Sequence, residues 1–206
     1  MIQSDIKVKF VSDEIAADPD GISASAQVAN NAALVIGGAL ASGGSVTLAG
    51  SARKLVIVSG GDDSGISFTA VGTDINGDAL TESITGVDSD TATGSKFFKT
   101  ITGITAVGDP AGTVTAGTST SAADKVISTR VRLKGYSIVS GGTAGVIDFF
   151  NGDPNGTGSS VFKARTIGTD NTTVDNTIPA NGILFEDGCY MTFTIGTVDM
   201  MNFFFN

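Results

Sequence analysis

The amino-acid sequence predicts an all-β fold made of two consecutive antiparallel β-sandwich modules with glycine-rich turns. Segments in which apolar and polar residues alternate recur about every ten residues, a spacing typical of sandwiches and barrels. Glycine supplies 28 of the 206 residues, and only 16% of the residues are charged. Abundant glycine indicates many tight turns, and few charges suit sheets whose outer faces carry neutral polar side chains.

The first module begins with a strand in which Ile6, Val8 and Phe10 alternate with two lysines. Alternation of this kind places the apolar residues on one face of a strand. A nearly all-apolar run at 54–58 predicts a strand buried on both faces. The other strands predicted in this module lie at 46–48, 66–71, 95–101 and 112–117.

The segment FTAVGTDINGDALTESITG at 68–86 alternates, breaks at Asn76-Gly77, and alternates again. Asn-Gly is the strongest short-range signal for a hairpin, since a type I′ turn needs positive φ at both central residues. We therefore predict a hairpin here.

The Ala-rich segment at 22–41 hints at a helix, but paired Asn and Gly residues oppose one, so we predict an extended segment with one strand around 34–36.

The small polar stretch TSTSAADK at 118–125 shows no apolar periodicity and predicts a domain boundary. Residues 1–122 would form the N-terminal sandwich, with an extended arm at about 1–20, and residues 123–206 the C-terminal sandwich, of immunoglobulin-like or jelly-roll-like type. The first part holds 13 acidic and 6 basic residues and the second holds 8 and 6. This uneven charge is consistent with two modules.

The net charge of −9 and the pI near 4.2 disfavour nucleic acid and anionic membranes as partners, because both would repel the chain. The N-terminus lacks the basic and apolar regions of a signal peptide, so we expect synthesis in a cytoplasm. There is no histidine, the usual general base near neutral pH. The single cysteine, Cys189, excludes an intramolecular disulfide and is flanked by apolar residues, which indicates a buried residue rather than a nucleophile.

Two loops partly match a calcium-binding pattern, and neither match is complete. Asp74, Asn76 and Asp78 supply alternating oxygens but lack the glycine and the final glutamate of an EF-hand loop. The loop with Asn151, Asp153 and Asn155 also lacks that glutamate. Solvated hairpin loops are the favoured interpretation of both, and the sequence predicts no metal, cofactor or catalytic residues.

Two catalytic patterns are weaker still. GDDSG at 61–65 resembles a serine-nucleophile motif, but a chain without histidine offers Ser64 no usual base, so a tight turn is favoured. The acids nearest to aromatic residues, Asp148, Glu186 and Asp187, could form a glycosidase pair, yet no tryptophan is present to stack on a sugar. We therefore expect no enzymatic activity.

Exposed strand faces supply the candidate partner interface. The chain ends in DMMNFFFN, which predicts either a central strand of the second module, the favoured interpretation, or a strand with one face covered by another subunit. The basic alternation at 130–134 could bind an acidic protein surface, although a solvated strand face is the simpler interpretation. The candidate interface residues are Ile6, Val8, Phe10, Arg130, Arg132, Lys134, Phe203 and Phe205.

One block of the sequence spans 20–86 and continues in GSKFFKTITGITAVG. A second block begins with RVRLKGYSIVSGGTAGVIDFFNGD and leads to IPANGILFEDGCYMTFT. Both blocks resemble modules of virion structural proteins of tailed bacteriophages. Together these blocks cover nearly the whole chain. The resemblance implies a non-enzymatic β-sandwich protein that oligomerises on the particle, often as a trimer. Its motifs are recurring turn and strand patterns, and no catalytic residue carries over from the family.

The resemblance implies a capsid decoration or cement protein that is made in the host cytoplasm and resides in the virion. Its partners would be the major capsid protein and further copies of itself. A neck or tail component is the alternative within the same class, with tail or neck proteins as partners. A glycan-binding adhesin module is the alternative of another class, although the chain contains only Tyr136 and Tyr190 beside its phenylalanines.

Overall fold

The structure of the protein is a computed structural model that describes residues 5–12 and 15–206. Those residues contain strands, turns and loops but no helix, which confirms the predicted all-β fold class. The strands are β1 (Lys7–Ser12), β2 (Ser23–Gln27), β3 (Ala41–Ser42), β4 (Ser45–Thr47), β5 (Ala52–Ser59), β6 (Ser67–Thr73), β7 (Ala79–Thr85), β8 (Thr91–Phe98), β9 (Thr100–Val107), β10 (Thr113–Ile127), β11 (Val131–Ser140), β12 (Val146–Asn151), β13 (Ser159–Arg165), β14 (Thr172–Thr177), β15 (Ile183–Phe185), β16 (Cys189–Thr194) and β17 (Val198–Phe205).

The chain divides into two compact units, and the first of them is discontinuous in sequence. Unit 1 combines β1 with residues 121–206, whereas unit 2 spans Ala17–Thr120. The observed division differs from the predicted grouping of residues 1–122 because β1 pairs with β17, at the opposite end of the chain, along the whole length of β1. Sequence order alone gives no sign of so distant a pairing.

Unit 1 is a β-sandwich with two antiparallel sheets. One sheet has the order β1-β17-β11-β14, with β15 also paired to β11, and the other has the order β13-β12-β16 followed by the C-terminal half of β10. The rings of Phe149 on β12 and Phe203 on β17 meet edge to face, 5.5 Å apart. Both sheets therefore supply the core, whose fully buried large members include Phe149, Phe185, Phe203, Leu133 and Ile138.

Unit 2 is a second β-sandwich. One sheet has the order β3-β4-β9-β6-β7, and the other contains β8, β5, the N-terminal half of β10 and β2. Along β7, buried and exposed residues alternate without interruption, because one face of the strand packs on the core and the other meets solvent. The core draws on both sheets and includes Leu55, Ile57, Phe68, Phe98, Ile101 and Ile104.

The change from one unit to the other falls within the predicted boundary at 118–125, but the chain there is a strand and not a loop. These residues lie within β10, the longest strand, and four of them are buried. Small Ala, Ser and Thr side chains lack apolar periodicity, but they allow close strand pairing, and the backbone ladder does not depend on them. The change from unit 2 to unit 1 falls inside this strand, between residues 120 and 121.

The strand predicted around 34–36 is also absent. At this place the structure has an isolated bridge between Ala33 and Thr105, and the Leu34 N–H donates to the Ile104 carbonyl. Leu34 is nevertheless buried in the core of unit 2. The segment is extended and packs through single contacts because its Asn and Gly residues interrupt a regular ladder.

Candidate interaction surface

The outer face of β1 carries an exposed apolar stripe. Ile6, immediately before the strand, and Val8 and Phe10 within it are 50%, 56% and 53% exposed. Val11 points the other way into the core of unit 1, so the alternation predicted for this segment is correct. Three large apolar side chains that lie half exposed on one strand face are typical of a surface used in protein contacts.

The inner face of β1 places a charge at the open side of the sandwich. The Lys9 ammonium lies 3.8 Å from the carboxylate of Asp124 on β10. Lys7 is exposed on the same face as Lys9, since the two residues are separated by one position. Inward-pointing lysines on an edge strand are a known device against indiscriminate pairing with other chains.

The terminal strand β17 lies between β1 and β11, which confirms the favoured interpretation of the C-terminal run as a central strand. Phe203 and Phe205 are buried in the core of unit 1, at 0% and 7% exposure. Their inclusion in the candidate interface is therefore wrong. Phe204, which the sequence analysis left out, faces outward and is half-buried; strict alternation along the run would have identified it.

The basic residues near β11 divide in a similar way. Arg132 and Lys134 alternate with buried Val131 and Leu133, so they project from the outer face of the sheet. Neither forms an ion pair within the described part of the chain. Arg130 lies before the strand, and its Nε donates to Glu186 at 2.6 Å, so its charge is already matched.

Strand register brings these groups together. Val8 pairs with Phe204, and Phe204 pairs with Gly135, which follows Lys134 on β11. The outer face of three neighbouring strands therefore combines an apolar stripe with two basic side chains. We call this surface the outer face of unit 1 and define it by Ile6, Val8, Phe10, Arg132, Lys134 and Phe204.

The two loops that resemble calcium sites use their acids to shape the backbone. Asp74 Oδ1 accepts the N–H groups of Asn76 at 2.7 Å and Asp78 at 2.9 Å. The hairpin predicted at 68–86 is confirmed, but its connection is a five-residue loop in which Gly77 has positive φ and Asn76 does not, so the predicted type I′ turn is wrong. The Asx hydrogen bonds of Asp74 stabilise this longer loop.

The second loop has the same character. Asp153 Oδ1 accepts the Asn155 N–H at 2.8 Å. Asn151 exchanges two hydrogen bonds of 2.9 Å with Asp187. Across the residues the structure describes, no group of three or more His, Cys, Asp or Glu side chains is arranged to hold a metal ion.

The candidate catalytic residues have structural partners. Asp62 Oδ1 accepts both the N–H and the hydroxyl of Ser64, and these bonds lower the pKa of Asp62. The turn predicted at GDDSG is thus confirmed, with turn residues between β5 and β6. Burial raises the pKa of the Cys189 thiol to about 12, which disfavours the reactive thiolate.

Each of the three candidate glycosidase acids interacts with a different side chain of the structure. Asp148 lies 3.1 Å from Lys163, Glu186 accepts from Arg130, and Asp187 bonds with Asn151. Tyr136 and Tyr190 are buried, so neither ring offers an exposed stacking platform for a sugar.

Within residues 5–12 and 15–206, no helix is long and apolar enough to span a bilayer. Searches among known protein families, curated proteins and solved structures find no match to this chain.

Proposed function

We propose that the protein is a structural component of a tailed-phage virion, a decoration or cement protein that binds the capsid and stabilises the head. The observation that carries this proposal is the outer face of unit 1, with Ile6, Val8 and Phe10 each at least half exposed. The phage-like turn and strand patterns of the sequence add support. A protein of this class acts through the surfaces it presents to its neighbours.

The apolar stripe gives the contact its free energy. Burying the exposed half of each side chain would contribute about 1 kcal/mol. Three such contributions give only a weak single contact once the entropy cost of association is included. A homo-oligomer, with a trimer favoured, would present several copies of the face at once, and multivalency would convert weak contacts into stable attachment.

The basic residues would give the contact its selectivity. Arg132 and Lys134 project from a chain whose overall charge is −9. An acidic patch on a capsid protein would be attracted to these two charges while the rest of the chain was repelled. Attachment should therefore weaken with increasing salt, since exposed charges are screened at a distance of about 10 Å at 0.1 M salt.

Copy number in purified particles tests the proposal against its nearest alternative. A decoration protein should be present in proportion to the major capsid protein, whereas a neck or tail component should be present in far fewer copies. Quantitative densitometry of stained gels of purified virions measures that ratio. Absence of the chain from virions would overturn the proposal, and glycan-array binding by the purified chain would favour the adhesin alternative.

A further inference from the structure

The N-terminal strand of unit 1 is held differently from every other strand of that unit. Its partner β17 lies at the far end of the chain, and the whole of unit 2 (Ala17–Thr120) intervenes between β1 and the rest of unit 1. A hairpin strand such as β7 is tied to its neighbour by a five-residue loop. No short connection of that kind joins β1 to β17, so covalent structure does not require both strands to come from one chain.

β1 contributes little buried side-chain surface to unit 1. Val11 is its one buried residue, at 5% exposure, and Lys9 forms a 3.8 Å ion pair with Asp124. A backbone ladder joins β1 to β17 from Lys7↔Phe205 to Ser12↔Met200. Full burial of a valine contributes about 1.5–3 kcal/mol, and this one buried side chain is small beside the buried Phe203 and Phe205 of the neighbouring strand β17.

The position beside β17 is specific for the β1 sequence. An incoming strand must pair with six residues of β17, place an apolar side chain in the core where Val11 lies, and place a base two positions earlier near Asp124. The β1 strand of a second copy meets every one of these requirements. Exchange of identical elements is a low-cost route to oligomers because each contact broken in one copy is remade with another.

We propose that β1 is an exchangeable strand, and that the β1 strand of one copy of this chain pairs with β17 of another. Exchange would link copies without requiring a new complementary surface. This proposal rests on the proposed structural function, because linked copies are useful to a protein that assembles on a particle.

Site-directed crosslinking between different chains tests this proposal. Phe10 and Asn202 are paired across β1 and β17, and both side chains face outward. A tagged Phe10→Cys chain and an untagged Asn202→Cys chain are unfolded together, refolded as a mixture, and treated with a short bismaleimide. Strand exchange predicts a crosslinked heterodimer on a denaturing gel. The unaltered chain, whose single cysteine is buried, measures the background reaction.

A matched control uses strands that we do not expect to exchange. Ser137 on β11 and Asp175 on β14 are also paired and outward-facing, but both lie in the continuous part of unit 1. Ser137→Cys and Asp175→Cys chains should give no heterodimer above background. Val8→Cys with Phe204→Cys, a second pair across β1 and β17, serves if Phe10→Cys folds poorly.

Heterodimer in the β1–β17 mixtures and not in the control would support exchange. The same low yield in all mixtures would overturn it, because β1 would then remain with its own chain. The experiment uses purified chain without particles. A negative crosslinking result would leave the copy-number test of the proposed function unaffected. A negative copy-number result would likewise leave the crosslinking result unaffected.

Discussion

The carboxylate of Glu82 on β7 is bound by Ser95 on β8, although the two strands belong to different sheets of unit 2. Glu82 Oε1 accepts the backbone N–H and the hydroxyl of Ser95, and it also accepts the N–H of Lys96 at 3.2 Å. Glu82 itself is 8% exposed. A nearly buried carboxylate with three donors closes one side of the sandwich, since each donor offsets part of its desolvation.

Replacement of Glu82 should therefore destabilise unit 2. Glu82→Ala leaves the Ser95 and Lys96 N–H groups without their acceptor, and we expect a loss of about 2–4 kcal/mol in the free energy of unfolding. Glu82→Gln retains one acceptor oxygen and should lose less. Urea denaturation measures both. Ser83→Ala, at the adjacent exposed position, is the control and should leave stability nearly unchanged; equal stability of all variants would contradict this role.

Two glycines on paired strands should respond in opposite ways to alanine. A Cβ at Gly72 on β6 would lie 1.9 Å from the Thr100 carbonyl oxygen, whereas a Cβ at Gly103 on β9 would meet nothing within 4 Å. Gly72→Ala should destabilise the chain by about 1–3 kcal/mol, because the backbone must move. Gly103→Ala should be neutral or slightly stabilising, since alanine loses less entropy on folding. Thermal unfolding compares the two variants.

The pair Asp199 and Asp170 should make stability depend on pH. The pKa of Asp199 is raised by desolvation, and in addition by the negative charge of Asp170 and a hydrogen bond with it. A raised folded-state pKa means that the folded chain binds the proton more tightly than the unfolded chain. Stability is therefore lowered above the folded-state pKa, and it increases as pH falls through that value.

Asp199→Asn removes this penalty, so it should raise the melting temperature at pH 7. The difference from the wild type should narrow on acidification toward about pH 3.9, the ordinary aspartate value. Asp170→Asn removes the same repulsion and should act in the same direction. A difference that stays constant between pH 7 and pH 3 would contradict the electrostatic explanation.

Substitutions at Phe10 and at Phe203 should have different effects, one on binding to particles and the other on the stability of the fold. Phe203 is fully buried and contacts the Phe149 ring, so Phe203→Ala should cost about 3–5 kcal/mol of stability. Phe10 is 53% exposed, so Phe10→Ser should leave the fold intact. The same Phe10→Ser chain should bind purified particles more weakly than the wild type in a cosedimentation assay. Unchanged binding would remove the apolar stripe from the proposed contact.

The sequence predicts local features of this fold well. The alternation of Ile6, Val8 and Phe10, the hairpin around Asn76-Gly77 and the burial of Cys189 all follow from side-chain pattern, because period and turn chemistry act over a few residues. The prediction of a type I′ turn is wrong because the Asp74 side chain stabilises a longer loop. That competition between two local signals is not visible in the Asn-Gly pair alone.

The pairing of strands that are distant in the sequence could not be predicted from local residue patterns. The assignment of β1 to unit 1 depends on its ladder with β17, and no local pattern encodes a partner at the opposite end of the chain. Among the candidate interface residues, Ile6, Val8 and Phe10 are exposed, whereas Phe203 and Phe205 lie in the core. The change of unit at 120–121 lies within the predicted boundary, but the continuity of β10 through it is not visible in the sequence, because small polar residues carry no apolar periodicity.

We propose that this chain binds a phage particle through the outer face of unit 1. A cryo-EM map of purified virions, with the two sandwiches fitted as separate bodies, is the decisive experiment. We expect sandwich density over the capsid, with Val8, Phe10 and Phe204 against a neighbouring protein. Density in which that face points into solvent, or virions that lack the chain, would contradict it.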